Sequence, residues 1–522
     1  MSPKRKLFVV NVIFAALLLL SSCSNKVTNE ERPNILFIMS DDHTSQAWGV
    51  YGGVLKDYVK TPNISRLVDE GCLLSNCFCS NSICTPSRAT ILTGQYSHRN
   101  GVYTLTAALE PDSMNVAKLL KNNGYQTAIV GKWHLKKQPA GFDYFNVLPD
   151  QGKYWNPRLK NKDNWKDHYE GGTEYQGFST DIIADQTINW IENRDEKKPF
   201  MMMCHFKATH EPFDYPERYK ELYAGIELPE PESLYDFGPQ TTNRSFVGQK
   251  LDNLASRWMQ ASKDPDKWWC KYPGLPFSTE GLDRIQARKK TYQKFVKDFI
   301  RCGAAIDDNI GKLLNYLESS GQLENTIVIY TADQGYFLGE HGFFDKRMIY
   351  EESLRMPFVI RYSKEVAAGS KCDDIIQNVD FPSLLLDYAG IETPSHMQGR
   401  SFRANLAGET PKDWRKSSYY RYWLHSVDRP GHFGIRNDRY KLAFFYGHHL
   451  NMKGAQRENT IPVWEFYDLE KDPNENHNAY DDIQYTQIIK EMKAELKKQR
   501  AKVGDTDDNF PVMRSIIDEY WN

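Results

Sequence analysis

Four short apolar runs recur through the first four hundred residues, and they constrain the fold more than any other feature of the chain. They are Asn34 to Ser40 (NILFIMS), Thr127 to Gly131 (TAIVG), Phe200 to Phe206 (FMMMCHF) and Thr326 to Thr331 (TIVIYT). Each is nearly continuous rather than alternating, the pattern of a strand covered on both faces within a mainly parallel sheet. Amphipathic helices lie between them. Asp181 to Arg194 carries Ile182, Ile188 and Ile191, and Phe295 to Leu317 spaces Phe299, Ile306, Ile310, Leu313 and Leu317 before Gly321 ends it. This alternation predicts an α/β fold, a large mainly parallel sheet sandwiched by helices.

At 522 residues the chain has room for that domain and a smaller one. After about Leu406 the pattern changes. Ser417 to Trp423, His432 to Asn437, Tyr440 to Tyr446 and Val463 to Leu469 alternate like antiparallel strands, and Tyr485 to Arg500 follows as an amphipathic helix. A catalytic domain over 32–405 and a C-terminal α+β subdomain over 406–522 are therefore expected. Residues of about 214–290, rich in Pro, Trp and charge (Pro229, Pro231, Trp258, Trp268, Trp269), break the rhythm. They are expected as an insertion over one edge of the sheet, either a pocket wall or a packed excursion.

The amino terminus reads as a targeting segment. Lys4-Arg5-Lys6 precedes an apolar run, Leu7 to Leu20, that is short for a membrane span. Leu20-Ser21-Ser22-Cys23 resembles a bacterial lipobox, which implies a signal peptide over 1–23, lipid on Cys23 and a polar tether over 24–31. The expectation is an exported protein at the periplasm or cell surface, touching membrane only through that anchor. A formal net charge of −2 supplies no basic field for nucleic acid. Nine cysteines show no Cys-x-x-Cys pair and no zinc-type spacing. Apart from Cys23 and Cys84 they are expected mostly as buried thiols, with export leaving room for one or two disulfides.

In open α/β sheets, ligands bind beyond the carboxyl ends of the strands. Asp41 and Asp42 follow the first apolar run, Lys132 and His134 the second, Lys207 and His210 the third, and Asp333 and Gln334 the fourth. Four such clusters on one sheet edge describe a single site. Three carboxylates and an amide form a hard, oxygen-rich set that suits Ca2+, or Mg2+, better than zinc. Arg88, Lys132 and Lys346 are the cations available to an anionic group beside the metal.

Ser82 to Gly94 reads SICTPSRATILTG, a Cys, a Pro two residues on, an Arg two further, and an apolar turn ending in Thr-Gly. It resembles the signature of the formylglycine-dependent type I sulfatases, in the alkaline-phosphatase-like superfamily. Gly124 to His134 (GYQTAIVGKWH) resembles the second signature of that family, and the likeness runs from Asn34 to about Arg403. The resemblance implies that a formylglycine-generating maturase oxidises Cys84 to 3-oxoalanine (Cα-formylglycine), whose hydrate is the nucleophile. It implies metal ligation by Asp41, Asp42, Asp333 and Gln334, with residue 84 completing the shell and Ca2+ as the metal. It further implies that Arg88 fixes the aldehyde hydrate, that Lys132 and Lys346 bind sulfate, that His134 is the base that later collapses the hemiacetal, and that His210 assists the leaving alcohol. His341 reads as structural and His205 as a core histidine.

The expected substrate is a sulfated saccharide of glycosaminoglycan or mucin type, with sulfated galactose or N-acetylgalactosamine and 6-sulfated N-acetylglucosamine as candidates; the pocket-type sites of the resembled family imply action on a terminal residue. Tyr419 to His425 (YYRYWLH) is a candidate source of sugar contacts or a packed strand. Two other readings stay open. Formylglycine-dependent phosphonate monoester or phosphodiester hydrolases share the Cys84 motif, although two-zinc phosphodiesterases of this fold show Asp-His-Gly where this chain has Asp333-Gln334-Gly335. The third is a surface lipoprotein that binds sulfated glycan without turnover because Cys84 is never oxidised.

Overall fold

The apolar runs pair edge to edge in the computed structural model, which describes residues 32–237, 245, 248–266 and 268–521. The signal segment, Cys23 and the tether lie outside the described residues. The main sheet has eight strands: β1 (Asn34–Asp41), β2 (Cys72–Leu74), β3 (Gln126–Lys132), β4 (Tyr144–Leu148), β5 (Phe200–Thr209), β6 (Thr326–Ala332), β7 (Phe358–Arg361) and β8 (Ser370–Cys372). They lie in the order β8-β2-β7-β6-β1-β5-β3-β4. All run parallel except β7, which is antiparallel to both β2 and β6. Strand β1 is central, with Ile35 opposite Met201 of β5 and Ile327 of β6.

The continuous apolar runs resolve into two interleaved faces. Ile35, Phe37, Met39, Met201, Met203, Ile327 and Ile329 belong to one core; Leu36, Ile38, Met202, Cys204, Val328 and Tyr330 belong to the other. Period-two alternation with apolar residues at every position is what two buried faces require. The main helices are α1 (Pro62–Asp69), α2 (Cys84–Thr93), α3 (Val116–Asn122), α4 (Ser179–Asn193), α5 (Leu251–Lys263), α6 (Arg284–Ser319), α7 (Phe381–Tyr388) and α8 (Thr486–Val503). Helices α2, α3 and α7 pack on the first face, through residues such as Leu92, Leu120 and Leu384. Helices α1, α4 and α6 pack on the second, through Leu67, Ile183 and Ile306.

The insertion ends a little earlier than the sequence reading has it. Helix α6 begins at Arg284, where Asp283 and Gln286 form a capping box, so its first turns take up the end of the presumed insertion. Those turns are polar, and a search for apolar periodicity starts too late to see them. The insertion stands at the carboxyl edge of the sheet. It follows β5, an internal strand, and its Trp258 and Phe277 pack with Phe295 and Phe299 of α6 and with Tyr336 just past β6. It stands over the carboxyl ends of the central strands.

The C-terminal sheet is antiparallel: β9 (Ser417–Tyr422), β10 (His432–Asn437), β11 (Tyr440–Phe445) and β12 (Val463–Asp468) in sequential order. One face takes α8 through Ile489, Met492 and Leu496. The other, with Tyr420, Tyr422 and Phe445, packs on Phe343, Ile349 and Tyr350. Tyr419, Tyr420, Tyr422, Trp423 and His425 are all buried, and Arg421 sits 2.6 Å from Asp505 and 2.8 Å from Asp507. This is a packed strand, one of the two readings that its sequence left open. All eight described cysteines are free thiols, seven of them buried. No helix among the described residues is long and apolar enough to cross a membrane.

Strand β3 approaches β5 very closely at Gly131, which has φ +102° and whose added Cβ would stand 2.0 Å from the carbonyl oxygen of His205. Both the backbone conformation and the contact demand glycine. Gly131→Ala should therefore destabilise the fold by about 2 kcal/mol or more, read as a lower denaturation midpoint in urea. An unchanged midpoint would show that the two strands can part there.

Candidate active site

Strands β1, β3, β5 and β6 are mutually parallel, so their carboxyl ends share one edge. Helix α2 starts at that edge. Ile83 is extended and Cys84 opens the helix, whose first turn tolerates Pro86 because its N–H groups have no intrahelical acceptor. Gly94, in the left-handed conformation, ends the helix with its N–H on the Thr90 carbonyl. All ten helical residues are buried. The Cys-x-Pro-x-Arg…Thr-Gly pattern is thus a short buried helix with its positive end at Cys84, where the macrodipole favours an anion.

Around Cys84 three buried aspartates are matched one to one by three buried cations. Lys132 Nζ pairs with Asp41 Oδ2. Lys346 Nζ lies 2.6 Å from both carboxylate oxygens of Asp42. Arg88 Nε donates to Asp333 Oδ2 at 2.8 Å, and its Nη1 donates to the Lys132 carbonyl at 2.8 Å. The Asp42 backbone N–H donates to Asp333 Oδ1 at 3.2 Å, and Gln334 Nε2 donates to Asp42 Oδ1. Cys84 Sγ lies 3.4 Å from Asp41 Oδ1. The backbone is strained here as well: Asp42, His134, Asp345 and Arg347 all have positive φ, the last two flanking Lys346.

Burial sets the protonation states. It pushes the Cys84 thiol up to about 12, with Lys346 opposing, so an unmodified Cys84 is protonated and a poor nucleophile near neutral pH. Burial raises Asp42 to about 6 against the pull of Lys346, and Asp333 adds to the rise. Lys346 would be lowered by burial, but the Asp42 carboxylate outweighs that and raises it. Lys132 is lowered by burial and by neighbouring Lys207. His134 and His210 are held well below the ordinary imidazole value by burial first and by Lys132 next. His210 Nδ1 lies 2.8 Å from the Glu211 carbonyl, a bond that needs the proton on Nδ1 and leaves Nε2 free for a ligand.

The oxygen cluster fits a hard cation. One ligand atom from each of Asp41, Asp42 and Asp333 lies within 4.8 Å of the others, and a second such group joins Asp41, Cys84 and His210. Gln334 Oε1 is buried without a hydrogen-bond partner, which is the oxygen a cation would use. All the expected site residues, Asp41, Asp42, Cys84, Arg88, Lys132, His134, His210, Asp333, Gln334 and Lys346, converge on this edge. His341 is buried among Phe337, Phe343 and Tyr350, and His205 lies within β5 with Nδ1 3.2 Å from the Lys132 carbonyl. Both stand as packing residues.

Two site residues were missed. Gln151 accepts from Lys132 Nζ at 2.6 Å, and Asp150 lies 3.0 Å from His168 Nε2 and 3.7 Å from His134 Nε2. Both follow β4, whose run YFNVL is interrupted by Asn146 and did not register as a strand. Strand β4 is parallel to β3 and ends on the same edge.

A family model described as "Sulfatase" matches residues 33–391, and one described as "N-sulphoglucosamine sulphohydrolase, C-terminal" matches residues 339–502. An N-acetylglucosamine-6-O-sulfatase of Bacteroides thetaiotaomicron is 39% identical over 94% of this chain and 90% of its own length. The human N-acetylglucosamine-6-sulfatase is 26% identical over 75% of this chain and 67% of its own. A protein solved in complex with its substrate D-glucosamine-2-N,6-O-disulfate superimposes with a TM-score of 0.82 at 37% identity, over 92% of this chain and all of that one. A phosphonate monoester hydrolase from Silicibacter pomeroyi shares the fold at a TM-score of 0.69 and 20% identity, over 92% of this chain and 97% of that one.

Removing one carboxylate from the cluster lowers the ligand charge that sets cation affinity. Calorimetric titration with Ca2+ should give at least ~10-fold weaker binding for Asp41→Asn and for Asp333→Asn than for the parent. Equal affinity in all three proteins would place the cation elsewhere.

Proposed function

The chain belongs to the sulfatase family and hydrolyses sulfuric esters of sulfated carbohydrate; from that premise we propose that its substrate is a 6-O-sulfated glucosamine, with N-acetylglucosamine 6-sulfate as the first candidate. Both the 39% identical relative and the 37% identical solved structure carry names built on 6-O-sulfated glucosamine, and each covers over nine-tenths of this chain. The observation that carries the catalytic assignment is the ring of three aspartate–cation pairs around Cys84 at the start of α2.

In this reading Asp41, Asp42, Asp333 and Gln334 would hold Ca2+ beside residue 84, where it would supply Lewis-acid stabilisation of charge on the sulfuryl oxygens. Position 84, oxidised to the aldehyde by a maturase and hydrated, offers two hydroxyls: one attacks sulfur, the other expels sulfate as the aldehyde reforms. The protonated, buried thiol of unmodified Cys84 offers neither. Its burial at 1% exposure supports action of the maturase on the chain before it folds. Arg88 holds the hydrate and Asp333 together. Lys132 and Lys346 bring positive charge to the sulfate, strengthened by exclusion from water. His134, neutral in its buried setting, removes the proton from the second hydroxyl, and Asp150 beside it orients the ring. His210 acts as the acid once bound sulfate, countering the neighbouring cations, lets Nε2 take up a proton, which then passes to the departing sugar oxygen.

For location we propose export with a lipid anchor at Cys23, which rests on the sequence of the amino terminus alone.

A sugar alkoxide needs protonation as it leaves, whereas 4-nitrophenolate departs largely unaided. His210→Ala should therefore reduce turnover of N-acetylglucosamine 6-sulfate by roughly 10²–10⁴-fold, and that of an aryl sulfate by distinctly less. Equal losses on both substrates would make His210 a sulfate-binding or shaping residue instead.

A further inference from the structure

Three residues of the candidate site, Asp150, Gln151 and His210, also line a large cleft. The cleft has a volume of about 840 Å³ and runs from Lys207, His210 and Glu211 to residues 149–156 and 158 after β4 and residues 265, 266 and 268–271 of the insertion. A volume of this size accommodates more than one sugar ring. Its walls are unusual in one respect. Four large aromatic side chains are exposed among the described residues, Tyr58, Trp155, Tyr169 and Trp269, and the last three all line this cleft. Tyr169 and Trp269 are 61% and 62% exposed, Trp155 43%.

Leaving such rings in water forgoes the burial that fixes most aromatics in the core, so their gathering at one concave place calls for a ligand. The rings are also held in position. Trp155 stands against Phe178 with centroids 5.2 Å apart at 69°, and Trp269 against Tyr272 at 6.2 Å and 79°. The lining carries charges of both signs, four Lys or Arg side chains against five Asp or Glu. A polyanion would find no net attraction in such a lining. A hydroxyl-rich ring with a flat C–H face matches both the aromatic shelves and the mixed hydrogen-bonding rim.

We propose that this cleft is a binding subsite for the saccharide unit next to the sulfated one, with Trp155 and Trp269 as its stacking platforms. The sulfated ring then meets His210 at one end, and the chain continues outward between residues 153–158 and the insertion. The proposal rests on the substrate reading above, and it makes the enzyme a reader of a glycan terminus rather than of a free monosaccharide.

The test compares N-acetylglucosamine 6-sulfate with a disaccharide carrying that residue at its non-reducing end, using the formylglycine-bearing enzyme. The parent should show higher kcat/KM on the disaccharide. In Trp155→Ala/Trp269→Ala the ratio of disaccharide to monosaccharide kcat/KM should fall about tenfold or more, mainly through KM. Trp269→Phe should keep most of the ratio, because a flat ring remains. Thermal melting of each variant separates lost binding from lost folding. If the parent cleaves the monosaccharide and the double variant keeps the parental ratio, or loses equally on both substrates with an unchanged Tm, the subsite is overturned alone. A parent inert on both substrates would overturn the substrate reading and the subsite with it.

Discussion

The structure turns on three aspartate–cation pairs buried where four parallel strands end. Asp41 with Lys132, Asp42 with Lys346 and Asp333 with Arg88 bring six charges out of water into one small volume. Such burial is tolerable only because each charge is paired and hydrogen-bonded, and removing one partner typically costs about 3–5 kcal/mol. The scaffold is arranged around keeping them together: the parallel sheet delivers the aspartates and Lys132, the wholly buried α2 delivers Arg88, and left-handed backbone at Asp345 and Arg347 aims Lys346. The same balance of charge prepares the site for its reaction, since oxygen ligands and cations already face one another around residue 84.

Much of this was legible in the sequence. A strand buried on both faces must be apolar at every position, so β1, β3, β5 and β6 stood out as continuous runs, and the charges at their ends could only belong to one edge once the strands were parallel. The Ser82 to Gly94 motif was legible through its resemblance to a family signature, and the structure gives local causes to Pro86 in the first helical turn and Gly94 at the left-handed cap. The four C-terminal strands were equally readable from their alternation.

What stayed hidden depends on distant contacts. Strand β4 carries Asn146 in its middle, so Asp150 and Gln151 had no visible strand to follow. The reversal of β7 is a matter of pairing partner, which apolar pattern does not encode. Tyr419 to Trp423 was ambiguous because an aromatic run looks the same packed or exposed; tertiary packing on Ile349 and Tyr350 decided for burial. Trp155 and Trp269, more than a hundred positions apart, meet in one cleft only in three dimensions. The catalytic centre and the sugar-reading surface are therefore separable: the first is written in short motifs at strand ends, the second in loops that the sheet merely supports.

Burial leaves the Cys84 thiol protonated, and the proposed nucleophile in its place is the hydrated aldehyde at residue 84. Mass spectrometry of the Cys84-bearing peptide from active enzyme, made with and without a co-expressed maturase, tests it most directly. Sulfate release per mole of protein should rise in proportion to the fraction of peptide in which the thiol has been replaced by the aldehyde, and should vanish when that fraction is zero. Full activity in protein whose Cys84 is entirely unmodified would contradict the account.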